Sequence, residues 1–144
     1  MKLSTKCRYG TRAMIEIARH YKEGPVTRKV ISRNQRISSA YLENILIALK
    51  SRNLVRTVRG ANGGFTLDTS PSHITMLQIF GALEGSFVPV DCVENSFVCE
   101  RSGVCAARKL WNELYNAQVA VLKKTTLQSM IDVEDSAKQL DYCI

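Results

Sequence analysis

The chain has 144 residues, 45% of them apolar, which allows one compact domain or a small domain with an appended element. Its net charge of +7 is lopsided: residues 1–67 hold fourteen Lys or Arg against three Glu, and residues 68–144 hold six against ten acids. No apolar run nears the ~18 residues of a membrane span and residues 1–8 lack a signal-peptide core, which excludes a membrane-spanning helix and predicts a cytoplasmic protein.

Residues 5–21 read as a first helix, with Ala13, Met14, Ile17, Ala18 and Tyr21 at helical spacing and Gly24-Pro25 as the stop. Thr27 is placed to cap a short second helix that turns Val30 and Ile31 inward and carries Arg28, Lys29, Arg33 and Arg36. A polar turn leads to a third helix over 38–52, where Leu42, Ile45, Leu46 and Leu49 form one apolar stripe. Ala40, Glu43, Asn44 and Ile47 point the other way. In residues 54–68, two β-branched and aromatic runs flank Gly-Ala-Asn-Gly-Gly, a hairpin signal. A fourth helix is expected over 72–83, a cysteine-bearing loop over 85–104, and a long helix over 105–127 with Leu110, Trp111, Leu114, Ala117, Val121 and Leu122 along one side. The remainder is a tail with room for one short helix.

Three helices and a glycine-tipped hairpin, all basic, make the plan of a winged helix-turn-helix, in which the third helix enters the major groove of DNA. The fold class is therefore mainly α with a small β-hairpin wing. Arg28, Lys29 and Arg33 suit phosphates. Ser38, Ser39 and Tyr41 open the third helix, and Ser39, Glu43 and Asn44 face base edges, with Ile47 available to a thymine methyl. Arg59, Gly60 and Asn62 belong to a wing tip suited to a narrow minor groove. Plainer roles stay open: Glu43 in an ion pair within the fold, Arg56 as a solvated side chain or a phosphate contact, the glycines as a tight turn.

The runs "LSTKCRYGTRAM" and "SSAYLENILIALKSRNLVRTVRGANGGFTL", with a three-cysteine loop ending in "CAARKLW", closely resemble the IscR/NsrR family of bacterial winged-helix regulators over residues 1–133. The resemblance implies a dimeric transcription factor, and in many members an iron–sulfur cluster that alters DNA binding. It also matches Glu43 and Asn44 to base-contacting positions and Arg59 to a minor-groove arginine. Ala40 stands where some relatives carry a polar side chain, a departure that bears on the target sequence.

The cysteines are spaced Cys92-x6-Cys99-x5-Cys105. Structural zinc sites favour pairs about two to four residues apart, so three thiolates on a loop suit an iron–sulfur cluster better, either 2Fe–2S or 4Fe–4S. Zinc, or a pure thiol switch, stays an alternative. Cys105 falls at a helix start, where unpaired amides favour negative charge, and Arg101 and Arg108 are near enough to offset it. Gly103 gives the backbone freedom to approach sulfur. One branch of the family takes its fourth ligand from a histidine three residues past the last cysteine; here that residue is Arg108. Another takes an acidic residue at position 8; here it is Arg8. Neither has a lone pair to donate. Cys7 is the candidate that remains, from the same chain or from the partner subunit, against the plainer role of a small buried side chain. Cys143 reads as an incidental thiol, and His20 and His73 as ordinary residues.

The expected organisation is a winged domain with packing helix over 1–83, a cluster loop over 84–104, a dimerisation helix over 105–128 and a tail over 129–144. The expected function is a homodimeric regulator on a pseudo-palindromic duplex, not an enzyme, with neither a membrane partner nor a small-molecule substrate. Its DNA affinity or specificity would follow a cluster that senses iron status, oxygen or nitric oxide. The alternative is a cluster-free or zinc-bound repressor responding to thiol redox, a small molecule or a partner protein.

Overall fold

In the computed structural model, which describes residues 3–141, each of the first three helices starts on a hydroxyl cap. Ser4 Oγ accepts the amide of Cys7 to open α1 (Thr5–Arg19), and Thr27 Oγ1 accepts that of Val30 to open α2 (Arg28–Gln35). Ser38 Oγ accepts that of Tyr41 to open α3 (Ser39–Ser51). Such caps satisfy amides that the helix itself leaves without partners. Between α2 and α3, Arg36 takes the left-handed conformation, φ 52°, and Ile37 drops into the core. The stripe Leu42, Ile45, Leu46 and Leu49 is buried in one cluster with Ala13, Met14 and Ile17 of α1. Burial of each large apolar side chain contributes about 1.5–3 kcal/mol.

Among the described residues, Glu16 is the one charged side chain in this core. It is not stranded there. Its Oε1 accepts from Asn34 Nδ2 at 2.7 Å and its Oε2 from Gln35 Nε2 at 2.8 Å, which fastens the end of α2 to α1. A buried carboxylate needs such partners.

The wing is an antiparallel pair, β1 (Val55–Val58) and β2 (Gly64–Leu67), with Val55 opposite Leu67 and Val58 opposite Gly64. Val26 extends it by one bridge, exchanging hydrogen bonds of 2.8 Å in both directions with Phe65. Gly64 makes that approach possible, because a Cβ there would lie 2.5 Å from the Val26 carbonyl oxygen.

Three expectations for the second half are corrected. The helix expected over 72–83 is a 3-10 turn (Pro71–His73), an extended Ile74 and then α4 (Met76–Leu83). Thr75 and Gln78 form a reciprocal capping box that restarts the helix, and the extended Ile74 accepts the amide of Leu127 at 2.8 Å. The cysteine stretch is not all loop: it holds one helical turn, α5 (Asp91–Glu94), and a 3-10 turn (Ser96–Val98). The tail is a full helix, α7 (Leu127–Asp141), which returns to the winged core. Leu127 and Ile131 are buried there, and Arg19 of α1 pairs with Glu134 at 2.7 Å and Asp135 at 2.6 Å. The core drawn from residues 1–83 is thus closed by residues past 126. Between these lies α6 (Ala106–Lys124), with no residue buried. Cys143 lies outside the described residues. Among those described, no helix is long and apolar enough to cross a membrane.

Candidate nucleic-acid interface and cysteine loop

α2, α3 and the wing meet at a cavity lined by Arg28, Glu43, Ile47, Lys50, Thr57 and Phe65. Lys29, Arg33 and Arg36 are exposed on or just after α2, and Ser38, Ser39, Ala40, Glu43, Asn44 and Ile47 on α3. Ile47 is 61% exposed on the same side of α3 as Glu43 and Asn44. Arg59, Gly60 and Asn62 form the exposed wing tip, with Gly60 at φ +118°, a conformation only glycine takes without strain. Tyr41 is half-buried, its ring edge-on to Tyr9 with centroids 6.0 Å apart.

Two arginines are already paired. Arg28 Nη1 lies 2.6 Å from Glu43 Oε2, the within-fold ion pair left open for Glu43. Both side chains are more than two-fifths exposed, so the pair is weak and either member is available to DNA. Arg56 lies 3.9 Å from Asp68. Arg12, absent from the sequence-based site, stands over the Tyr9 ring at 5.5 Å and donates to Gln35 through both its side-chain and main-chain oxygens. Its only sequence signal was a place in the basic half.

In the loop, Cys92, Cys99 and Cys105 are free and half-buried. Arg108 is the residue they share. Its Nε donates to the Cys92 carbonyl at 2.7 Å, its Nη1 to the Ser102 carbonyl at 3.5 Å, and its amide to Cys105 Sγ at 3.4 Å. Cys105 is thus the N-cap of α6, placed by the same logic as the hydroxyl caps. Two shallow cavities flank a wall of Ser102, Gly103 and Arg108, one lined by Cys99 and the other by Cys105. Gly103 has open space where a side chain would begin, rather than a close backbone approach. Arg101 is exposed. Among the described residues, no three His, Cys, Asp or Glu side chains converge as a single-ion site.

Cys7 does not join this group. It is fully buried on α1, in the core of its own chain, so it is not free to reach another subunit. Burial first, then the negative charge of Glu84 and its hydrogen bond, push its thiol from 9.0 up to about 12. A proton held that firmly opposes metal ligation. Glu84 also accepts the amide of Ser4 at 2.9 Å, tying the start of α1 to the base of the cysteine loop.

A pH effect follows from Cys7. Its thiol ionises near 9.0 in the unfolded chain and near about 12 in the folded one. Across that window the unfolded state binds fewer protons, so stability falls as pH rises, by about 1.4 kcal/mol per pH unit. Urea unfolding at about pH 8 and about pH 11 should show this loss in the parent and a smaller loss in Cys7→Ala, which lacks the group. Equal losses in the two proteins would refute the assignment.

A capped three-helix core bridged to a two-stranded wing, with a thiol-bearing loop and a long exposed helix, defines the class: a winged-helix transcription regulator. Residues 3–133 match the Rrf2 family, described as iron-dependent transcriptional regulator, and the chain belongs to that family. It is similar to the HTH-type transcriptional regulator CymR of Bacillus subtilis, at 37% identity over 96% of each chain. The solved structure of that CymR, the global cysteine regulator, matches with a TM-score of 0.79 at 38% identity, over 92% of this chain and 98% of that one. The structure of T. potens IscR also matches at 0.79, with 33% identity over 95% and 90%. The family and these relatives are transcription regulators, not enzymes.

Proposed function

We propose that the chain works as a homodimer that grips a pseudo-palindromic DNA duplex and that an iron–sulfur cluster on Cys92, Cys99 and Cys105 adjusts the grip. One observation carries the reading: an exposed basic face on α2, α3 and the wing belongs to the same chain as a three-cysteine loop tied to Arg108, whose guanidinium donates to the Cys92 carbonyl, whose amide donates to Cys105 Sγ, and which lines one cavity with Cys99. Arg28, Lys29 and Arg33 hold phosphates, while Ser38, Ser39, Tyr41, Glu43 and Asn44 stand at or near base edges. Arg56 adds a wing-strand phosphate contact. Arg59, Gly60 and Asn62 reach the minor groove, where the narrow walls concentrate negative potential.

Three thiolates are a donor set that suits a cluster. Arg8 and Arg108 have no lone pair to give, and Cys7 is sequestered, so a fourth ligand would come from a group outside these three. When bound, the cluster supplies a sulfur-ligated iron centre whose presence or state reports iron supply, oxygen or nitric oxide. The chain's own residues carry that state to the DNA face. Glu84 joins the loop base to Ser4, at the head of the helix on which α2 and α3 pack. A coupling of about 1–3 kcal/mol changes affinity roughly 5- to 150-fold.

The second reading is a cluster-free regulator that responds to thiol chemistry. It is favoured by the half-exposed loop thiols and by the likeness to a global cysteine regulator. Anaerobic purification with iron, sulfide and spectral analysis separates the two. Brown protein with iron and sulfide supports the first reading; colourless protein whose DNA binding changes on thiol oxidation supports the second. In either case Arg59→Ala should weaken DNA binding and lower the slope of log affinity against log salt by about 1. An unchanged slope would remove Arg59 from the interface.

A further inference from the structure

Arg108 has no lone pair to offer as a ligand, yet both hydrogen bonds of its side chain point into the cysteine loop. Its Nε and Nη1 close the loop on itself by holding the Cys92 and Ser102 carbonyls, and its amide is held by Cys105 Sγ. Nη2 takes no part in these bonds. Beside it, the Ser102 hydroxyl oxygen is buried and has no hydrogen-bond partner. A buried hydroxyl without a partner costs about 1–3 kcal/mol, so its retention calls for a reason. Ser102 and Arg108 form the wall common to the cavities of Cys99 and Cys105, with the open space of Gly103 between them.

We infer that Arg108 and Ser102 are a donor pair for sulfur-borne negative charge: Arg108 draws the loop around itself and offsets that charge, and Ser102 donates its hydroxyl hydrogen to sulfur. The inference rests on the cluster reading above and extends it to residues that are not ligands. Hydrogen bonds to sulfur and local charge are the levers by which a protein tunes such a centre. A neutral apolar residue at position 108 would keep the backbone bond to Cys105 but lose the charge and both carbonyl contacts, and lysine would keep the charge while losing the planar fork that reaches two carbonyls at once.

The test uses the full chain, reconstituted with iron and sulfide, and reads the rate of iron loss to a chelator by the fall in visible absorbance. Arg108→Met should lose iron about tenfold faster or more, and Arg108→Lys should fall between it and the parent. Ser102→Ala separates this role from a merely structural one, because its effects have opposite signs. In the iron-free chain it should leave thermal stability unchanged or raise it, since the hydroxyl it removes has no partner there. In the loaded chain it should speed iron loss about three- to tenfold. If the parent loads and all three variants release iron at the parent's rate, the inference fails and the cluster reading stands. Should Arg108→Met not fold, the Ser102→Ala comparison decides by itself. A parent that takes up no iron under these conditions overturns both.

Discussion

Leu114→Glu should turn the protein into a folded monomer whose hold on a two-half-site duplex is weaker by about 100-fold or more. The reason lies in what α6 leaves uncovered. None of its residues is buried, and Leu110, Leu114 and Val121 are 49%, 52% and 64% exposed. Beside them an apolar cleft of about 670 Å³ is lined by Leu3, Phe80, Phe87, Trp111, Leu114 and Tyr115. An apolar stripe of this extent is characteristic of a surface that meets a partner, and a two-fold mate buries the same stripe on both copies. A carboxylate there would be desolvated without a counter-ion in the dimer but would sit in water in the monomer. The winged core does not include Leu114, so thermal unfolding should stay close to the parent's. Sedimentation would show a single chain, and DNA binding would drop because the second half-site no longer benefits from the first. A dimer of unchanged stability in Leu114→Glu would move the dimer interface away from α6.

Gly64→Val should cost about 3 kcal/mol or more and lower the melting temperature by about 10 °C. The first atom of the new side chain would stand 2.5 Å from the Val26 carbonyl oxygen and 3.0 Å from the Thr27 nitrogen. Those atoms are backbone, so no rotamer change relieves the clash. Either β2 withdraws from Val26, losing both hydrogen bonds to Phe65, or the start of α2 moves with its Thr27 cap. Gly60→Ala, at the open wing tip, is the contrast. Nothing lies near its side chain, and only its positive φ of 118° opposes the change. Parent-like melting of Gly64→Val would mean that Val26 does not bridge the wing in solution.

Much of the DNA-facing half was legible from residue order. The apolar stripe of α3, the Thr27 cap of α2 and the glycine-tipped hairpin all appeared where their spacing predicted. These features depend on residues only a few positions apart. The same local logic failed at 72–83, where helical spacing of apolar residues hid the break at Ile74. That break is made by a main-chain bond to Leu127. The cysteine loop was legible as a thiol cluster but not as a structure. Its hub is Arg108, which the sequence marked as a position without a ligand and as a nearby positive charge but not as the residue that ties the loop together, and Ser102 carried no signal at all.

What the sequence by itself determined is the set of elements, their order, the split of charge between the halves and the three thiols behind the basic face. Periodicity and capping act over one turn of helix, so they can be read without a fold. Tertiary structure alone decided which groups meet. Cys7 became a buried thiol against Glu84 rather than a reaching ligand, and Arg28 found Glu43. Leu127 and Ile131 converted an expected tail into a wall of the core, and Arg19 thereby found Glu134 across 115 residues. Such pairings exist only once the apolar faces have closed on one another, because burial, not local preference, brings distant charges and thiols within reach.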